Sequence, residues 1–74
     1  MAGADKLIEK MRNRPNGIRF SEIAKVLEHH GYIMVRVSGS HHHFRNENGD
    51  VITIPNQSPV KAVYVKDVLR RIGR

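Results

Sequence analysis

The sequence predicts an α+β domain, a three-stranded antiparallel β-meander with helices packed on one face in the order α-α-β-β-β-α. Apolar residues recur at helical spacing near both ends of the chain, and they alternate with polar residues in the middle. Turn sequences rich in Gly, Ser and Asn separate the alternating segments. A chain of 74 residues has room for one modest core, so we expect a shallow binding face rather than a deep pocket.

The first helix is predicted over about residues 4–12, where Leu7, Ile8 and Met11 form a short apolar stripe. It ends before residues 14–17, where a proline and an Asn-Gly pair predict a loop.

The second helix is predicted by apolar residues at helical spacing, namely Phe20, Ile23, Ala24 and Leu27. Ser21 is its predicted N-cap, Glu22 lies in the first turn, and Gly31 is the predicted C′ residue. His29 and His30 fall in the last turn, where the helix dipole favours a cation. We therefore expect these two histidines to cap the helix rather than to catalyse a reaction.

Three strands are predicted over residues 32–37, 41–46 and 51–54. In the first strand, the period of two places one set of residues on one face and a second set on the other: Ile33, Val35 and Val37, against Tyr32, Met34 and Arg36. A Ser-Gly-Ser turn at residues 38–40 and a Glu-Asn-Gly-Asp turn at residues 47–50 join the strands as hairpins.

The last helix is predicted to begin near Tyr64, after a polar loop that contains Pro59. Its apolar stripe consists of Val65, Val68, Leu69 and Ile72. Gly73 is predicted to end the helix. The helices are therefore expected to cover the apolar face of the sheet and to leave the other face open.

The sequence contains no cysteine, which excludes disulfides, thiolate zinc sites and thiol nucleophiles. No apolar run approaches the roughly 20 residues of a membrane-spanning helix, and residues 1–5 show no signal-peptide pattern. We therefore expect a soluble cytoplasmic protein that has no membrane partner.

The net charge is +6 and the isoelectric point is about 10.3, which favours a polyanionic partner such as RNA. Between His29 and Lys66 the only carboxylates are those of Glu47 and Asp50, so the middle of the chain is basic and rich in histidine. The alternative interpretation is a solvated basic face, since an excess of Lys and Arg also serves solubility.

Three consecutive histidines, at positions 41–43, follow the flexible Ser-Gly-Ser turn. Gly39 can adopt φ > 0, so the backbone can approach a ligand closely and present the side chain of His41. Imidazole both accepts and donates a proton near neutral pH, which makes His41 a candidate acid and base. The alternative is an ordinary surface histidine.

Metal binding is the competing use of these histidines. His41 and His43 are two residues apart on a strand and so point to one face, where they could share an ion. On that face the sequence places no carboxylate and no further histidine close enough to complete the ligand set. We therefore expect no metal site and no cofactor.

A Gly-Ser-His-His motif at residues 39–42 is followed, after one residue, by the aromatic Phe44. A helix that ends at Gly31 precedes the motif, and a β-hairpin, Pro55 and an amphipathic helix follow it. In this arrangement the chain resembles the HicA toxin family, whose fold is similar to that of double-stranded-RNA-binding domains. The resemblance covers roughly residues 20–73.

The resemblance implies an mRNA interferase, which is a ribosome-independent endoribonuclease held inactive by a HicB-like antitoxin. It also implies that His41, which directly follows the Gly-Ser pair, is the catalytic histidine. Two features depart from the family pattern: position 43 is usually apolar but is His43 here, and the helix at about residues 4–12 precedes the minimal domain. We expect residues 1–74 to form one HicA-like domain with that helix added.

RNA chemistry suits an isolated histidine. Residues 29–46 contain no carboxylate, so no local nucleophile-His-Asp relay can form. RNA brings its own nucleophile, the 2′-OH, which attacks the adjacent phosphorus once its proton is removed. The predicted RNA-binding residues are Gly39, Ser40, His42, Arg36, Arg45 and Lys61. The alternatives are a non-catalytic RNA-binding module that uses the same basic face, and a face that contacts only a protein partner.

Overall fold

The structure, a computed structural model, describes residues 2–73. In chain order its elements are α1 (Ala2–Asn13), a short 3₁₀ helix (Pro15–Gly17), α2 (Phe20–His29), β1 (Ile33–Ser38), β2 (His41–Arg45), β3 (Val51–Pro55) and α3 (Ala62–Arg71). This order confirms the predicted α+β fold. No helix in the described part of the chain is long and apolar enough to cross a membrane.

The start of α2 differs from the prediction by two residues. Arg19, rather than Ser21, is the N-cap residue. The carboxylate of Glu22 accepts a hydrogen bond from the Arg19 backbone N–H at 2.9 Å, so the third helical residue satisfies this end of the helix. Lys10 of α1 donates to the same carboxylate at 2.7 Å, and these two hydrogen bonds lower the pKa of Glu22.

The end of α2 confirms the prediction for Gly31, which has a φ of +86°. The backbone N–H of Gly31 donates to the carbonyl of Glu28 at 3.1 Å, and that of Tyr32 donates to the carbonyl of Leu27 at 2.9 Å. These are the two hydrogen bonds of a Schellman motif. The motif ends the helix and directs the chain into β1.

The strands form one antiparallel sheet in the order β1-β2-β3, as predicted. The two-residue turn Gly39-Ser40 joins β1 to β2 and is closed by the pair of Ser38 and His41. Gly39 has a φ of +61°, which L side chains rarely adopt. This geometry fits a tight hairpin turn with glycine at its first central position.

The second hairpin is held by the side chain of Asn46. Its Oδ1 accepts hydrogen bonds from the backbone N–H groups of Asn48 and Asp50 at 3.1 and 2.9 Å. Gly49, with a φ of +85°, completes the turn. The predicted turn at residues 47–50 is therefore confirmed.

β1 contains a bulge at Val35. The register pairs Met34 with Phe44 and Arg36 with His43, so Val35 is an extra residue with no partner on β2. An extra residue shifts every following side chain relative to a regular alternation. The faces predicted for β1 must therefore change at this point.

The predicted alternation in β1 is wrong because of this bulge. Met34 and Val37 were expected on opposite faces, but they lie opposite Phe44 and His42, two residues that share one face of β2. Met34 and Val37 are therefore on the same side of the sheet, the side that the helices occupy.

The core lies between one face of the sheet and the helices. The sheet contributes Phe44, Ile52 and Ile54, which are buried. The rest of the buried core comes from the helices and connecting segments: Ile8, Met11, Ile18, Ile23, Val26, Leu27, Tyr32, Val60, Val65 and Val68. α1 packs against both α2 and α3. On β2 and β3 the residues that alternate with the buried ones are exposed or half-buried, except Pro55 at the end of β3, which is buried; the predicted open face is therefore present.

Candidate nucleic-acid interface

The uncovered side of the sheet carries the candidate site. Residues that pair across antiparallel strands share a face, so the register defines which side chains lie together. We call this surface the open face; it consists of Ile33, Arg36, Ser38, His41, His43, Arg45, Val51, Thr53 and Pro55. None of these side chains is a carboxylate.

His41 is the first residue of β2, directly after the tight turn, and its side chain is exposed. The turn is anchored by the backbone N–H of Asn56, which donates to the carbonyl of Ser40 at 2.6 Å. Among residues 2–73 the ring of His41 has no hydrogen-bond partner. The turn therefore presents an imidazole whose two nitrogens are available to a substrate.

His43 lies two residues further along β2 on the same face as His41. Its Nδ1 is 2.8 Å from Oγ1 of Thr53, its direct partner on β3. On the other side it pairs with Arg36 of β1. Because the hydrogen bond to Thr53 holds Nδ1, the remaining nitrogen, Nε2, is the one that His43 offers to a ligand.

His42 occupies the opposite face of the sheet. It is half-buried, and its ring centroid is 4.6 Å from that of Phe20 at the start of α2. Its Nδ1 is 3.2 Å from the carbonyl oxygen of Ser40. The structure therefore separates His42 from His41, and the ring of His42 covers part of the core.

The three cationic residues that were predicted to bind RNA also lie on different sides of the domain. Arg36 and Arg45 are exposed on the open face, on neighbouring strands. Lys61 lies outside the sheet, at the residue that precedes α3, and is also exposed. Two arginines therefore share a face with His41, whereas Lys61 belongs to the helical side of the domain.

The nearest carboxylates do not cancel this positive charge. Asp50, at the end of the second hairpin loop, binds Arg71 of α3 at 2.7 Å and accepts a hydrogen bond from the Tyr32 hydroxyl. These two hydrogen bonds lower the pKa of Asp50, and its charge is balanced by Arg71. Glu47 is exposed at the tip of the loop. The open face therefore keeps the net positive charge that phosphate binding requires.

A shallow groove adjoins the open face beside β1. It encloses about 310 Å³ and is lined by Gly31, Ile33, Val35, Arg45, Asn46 and Glu47. The groove is open and partly apolar, in agreement with the shallow binding face expected for so short a chain.

No three histidine or carboxylate side chains cluster closely enough to hold a metal ion in the part of the chain that the structure describes. His41 and His43 share a face, as predicted, but the third residue in their vicinity is Arg36, a cation. A cation beside two imidazoles opposes metal binding and favours phosphate binding.

Thr53 is the member of this arrangement that the sequence interpretation missed. A hairpin closed at the predicted turn, residues 47–50, would pair residue 46 with residue 51 and so place Ile54 opposite His43. In the structure the pairing begins with Arg45 and Val51, because Asn46 belongs to the loop, and His43 therefore lies opposite Thr53. Periodicity could not find the pair either, because a threonine in a strand is ordinary.

The sequence model of a family described as HicA toxin of bacterial toxin-antitoxin systems matches residues 20–73 of the chain. The match covers α2, the whole sheet and α3, and α1 precedes it. No curated protein and no solved structure matches the chain significantly.

Proposed function

The chain belongs to the HicA toxin family of bacterial toxin-antitoxin systems, and on this basis we propose that it is an endoribonuclease that cleaves mRNA without a metal ion. The observation that supports this proposal best is the position of His41. It is an exposed imidazole at the end of a tight glycine turn, on a face that also carries Arg36 and Arg45.

In the proposed reaction, an unprotonated nitrogen of His41 removes the proton of a ribose 2′-OH. The 2′-oxygen then attacks the adjacent phosphorus, forming the O2′–P bond while the P–O5′ bond breaks. The products are a 2′,3′-cyclic phosphate and a free 5′-OH, because the 5′-oxygen takes up a proton as it leaves. No water molecule and no metal ion enters this step. It needs an imidazole and groups that stabilise negative charge, and the open face carries both.

Arg36 and Arg45 have the second role. Charge accumulates on the non-bridging oxygens of phosphorus during the attack, and guanidinium groups stabilise such charge by paired hydrogen bonds. Both side chains are exposed and lie on the same face as His41. Gly39 and Ser40 keep the backbone compact beside His41, which allows the RNA backbone to approach.

The toxin family implies an antitoxin partner, and we propose that it inhibits by covering the open face. An interface of ordinary size, roughly 1,200–2,000 Å² in total, would bury His41 and the two arginines together. Because this chain carries a net charge of +6, an acidic partner would associate fast at low salt.

The proposal is tested with purified protein and a defined RNA in the presence of EDTA. We expect cleavage in EDTA, and no cleavage at a nucleotide whose 2′-OH has been replaced by hydrogen, because the nucleophile is then missing. The second candidate function, a non-catalytic RNA-binding module, is supported by the same basic face. Binding of RNA that remains whole at all protein concentrations and pH values would establish that alternative.

A further inference from the structure

β1 leaves its outer backbone edge and its apolar side chains uncovered. In the described part of the chain it pairs with β2 alone. All its residues are exposed; the exposed fraction is 64% for Ile33, 52% for Met34 and 51% for both Val35 and Val37. An apolar strand with a free edge is a ready template for pairing with a strand of another chain.

The other edge of the sheet lacks this combination. On β3 the apolar residues Ile52 and Ile54 are buried beneath the helices, and only Val51 is an exposed apolar residue there. Met34 and Val37 also point to the helical side, yet the helices do not reach far enough to cover them. The free edge and the uncovered apolar side chains therefore coincide at β1.

We propose that β1 is the docking strand for the antitoxin, which adds an extended segment to its outer edge. This inference rests on the proposed function, because it takes the antitoxin as the partner. In strand addition, main-chain hydrogen bonds provide affinity and alternate side chains provide specificity. The added segment would place apolar side chains against Met34 and Val37 and a carboxylate near Arg36, the one charged residue of β1.

Charge distinguishes the antitoxin from a second copy of this chain. Two copies would each bring a net charge of +6. Antiparallel pairing of β1 with itself would also bring two Arg36 side chains close to the symmetry axis, and like charges on facing strands destabilise a sheet. An acidic extended segment avoids both costs.

The test uses hydrogen exchange and a matched pair of variants, Val37→Lys and Val63→Lys. Both valines are exposed, at 51% and 66%, and both variants add one positive charge, but Val63 lies on α3. With the antitoxin from the neighbouring reading frame, we expect slower exchange of the amides at residues 33–38. Val37→Lys should weaken antitoxin binding about tenfold, and Val63→Lys should not. Both should cleave RNA as the wild type does.

Unchanged exchange at residues 33–38, or equal affinity of the two variants, would overturn the docking proposal while the proposed endoribonuclease function stands. A dimer of this chain alone that Val37→Lys dissolves would also overturn it, because the strand would then serve a second copy. Failure of the wild type to cleave RNA would be a failure of the proposed function, and it would leave the exchange result to be judged separately.

A second inference comes from an independent observation, the hydrogen bond between His43 and Thr53. Breaking the P–O5′ bond requires a proton for the leaving 5′-oxygen, and the two reacting oxygens lie on opposite sides of phosphorus. One imidazole cannot contact both sides at once. His43 is on the same face as His41, roughly 7 Å further along the strand.

We propose that His43 is a second catalytic residue, the acid that protonates the 5′-oxygen, while His41 is the base. An imidazolium needs an acceptor for its second N–H, and Oγ1 of Thr53 is 2.8 Å from Nδ1 of His43. Thr53 can therefore hold the charged ring with Nε2–H directed to the substrate. The proton passes from Nε2 of His43 to O5′ as the P–O5′ bond breaks. His41 holds the proton that it took from the 2′-OH, so the two histidines together carry the same number of protons before and after the step.

Three side chains surround His43 on the open face, one from each strand of the sheet. They are Arg36 on β1, His41 on its own strand and Thr53 on β3. None of them is a carboxylate, so these neighbours offer no carboxylic acid that could replace His43 as the proton donor. The inference again rests on the proposed function, because it assigns a role within that reaction.

The test compares an ordinary RNA with one whose scissile 5′-oxygen is replaced by sulfur, a leaving group that needs no protonation. His43→Ala should lower the cleavage rate of the ordinary RNA by about 10²-fold and should approach the wild-type rate on the sulfur substrate. His41→Ala should be slow on both. Thr53→Val should lower the rate less than His43→Ala and be rescued by the same substrate.

Wild-type rates for His43→Ala on ordinary RNA, or an equal loss on both substrates, would overturn this role without affecting the assignment of His41. An inactive wild type would instead be a failure of the proposed function. His29→Ala, at the exposed end of α2, controls for the loss of a histidine and should cleave both substrates normally.

Discussion

The hydroxyl of Tyr32 donates a hydrogen bond to Oδ2 of Asp50, and the two atoms are 2.5 Å apart. Tyr32 precedes β1 and Asp50 precedes β3, so the contact joins the two outer strands of the sheet at one end. Burial, followed by the hydrogen bond to Asp50, raises the pKa of Tyr32. Arg71 of α3 binds the other oxygen of Asp50 at 2.7 Å and completes a link from the sheet to the helices.

The first prediction concerns Asp50→Asn, which should lower the free energy of unfolding at pH 7 because Arg71 loses one of its two anionic partners and keeps only Asp67. Folding lowers the pKa of Asp50, so its stabilising effect is present above the unfolded pKa near 4 and is lost as the pH falls through the folded value. The stability difference between wild type and variant should therefore shrink between about pH 5 and pH 2. Urea unfolding at a series of pH values measures it.

Glu47→Gln is the matched control, because Glu47 is exposed in the same loop and should affect stability little. A difference between wild type and Asp50→Asn that stays constant from pH 7 to pH 2 would contradict the prediction. Tyr32→Phe tests the other half of the link. It keeps the buried ring and removes the hydroxyl, at a cost of about 1 kcal/mol.

The second prediction concerns the core. Phe44 is 1% exposed and stands on the covered face of β2, so Phe44→Ala should lower the free energy of unfolding by about 3–5 kcal/mol. That loss is a large share of the stability of a small domain, which is typically about 5–15 kcal/mol. Phe44→Leu should cost less and remain measurable. Val63→Ala, at an exposed position, should change stability by less than about 0.5 kcal/mol.

The fold was largely predictable from the sequence because its signals are local. Phe20, Ile23 and Leu27 define the inner face of α2, and glycines stand at the turns and helix ends where a positive φ is needed. The N-cap at Arg19 was missed because the cap depends on Glu22 and not on the identity of the capping residue. A serine nearby gave the stronger local signal.

The faces of β1 were not predictable, because a bulge is decided by pairing with the neighbouring strand and not by the strand's own sequence. In the sequence, Ile33 and Val35 alternate with Met34 and Arg36, which is the pattern of a regular strand without a bulge. For the site, the placement of His41 and Arg45 on one face followed from the period of two along β2, whereas the face of Arg36 depends on the bulge in β1. His42 and Lys61 were grouped with them on sequence proximity and charge alone, which do not determine a face.

The third prediction concerns the turn before His41. Gly39 has a φ of +61°, so Gly39→Ala should strain the backbone by about 1–2 kcal/mol. Because His41 is two residues away, we also expect slower RNA cleavage in a protein that still folds. Gly17→Ala is the matched control, since Gly17 is not at a positive φ and has open space around it. Equal rates for the two variants would contradict a positioning role for this turn.

The fourth prediction concerns RNA binding. If Arg36 and Arg45 contact phosphates, then Arg36→Gln and Arg45→Gln should each weaken RNA binding and reduce the slope of log K against log salt by about 0.7. Arg12→Gln, at an exposed position on α1, removes the same charge away from the open face and should leave the slope unchanged. Lys61→Gln tests the predicted residue that lies outside the sheet. Equal slopes for all four variants would show that the positive charge acts without a defined site.

The last prediction concerns His41 itself. His41→Ala should lower the rate of RNA cleavage by about 10²–10⁴-fold, because a positioned general base contributes that much to a proton transfer. The same variant should lose the ability to arrest growth when it is expressed without the antitoxin. Stability should be unchanged, because the His41 ring is exposed and has no hydrogen-bond partner in the described part of the chain.

Three measurements separate catalysis by His41 from binding or folding. Circular dichroism and urea unfolding should match the wild type, and RNA affinity should fall by no more than a few fold, because Arg36 and Arg45 remain. Only the single-turnover rate should collapse, which is the signature of an interaction made in the transition state rather than in the bound state. His29→Ala should be active in every assay. Growth arrest by a well-expressed His41→Ala variant would show that His41 is not needed for the reaction. His43 would then be the remaining imidazole on the open face that could act in it.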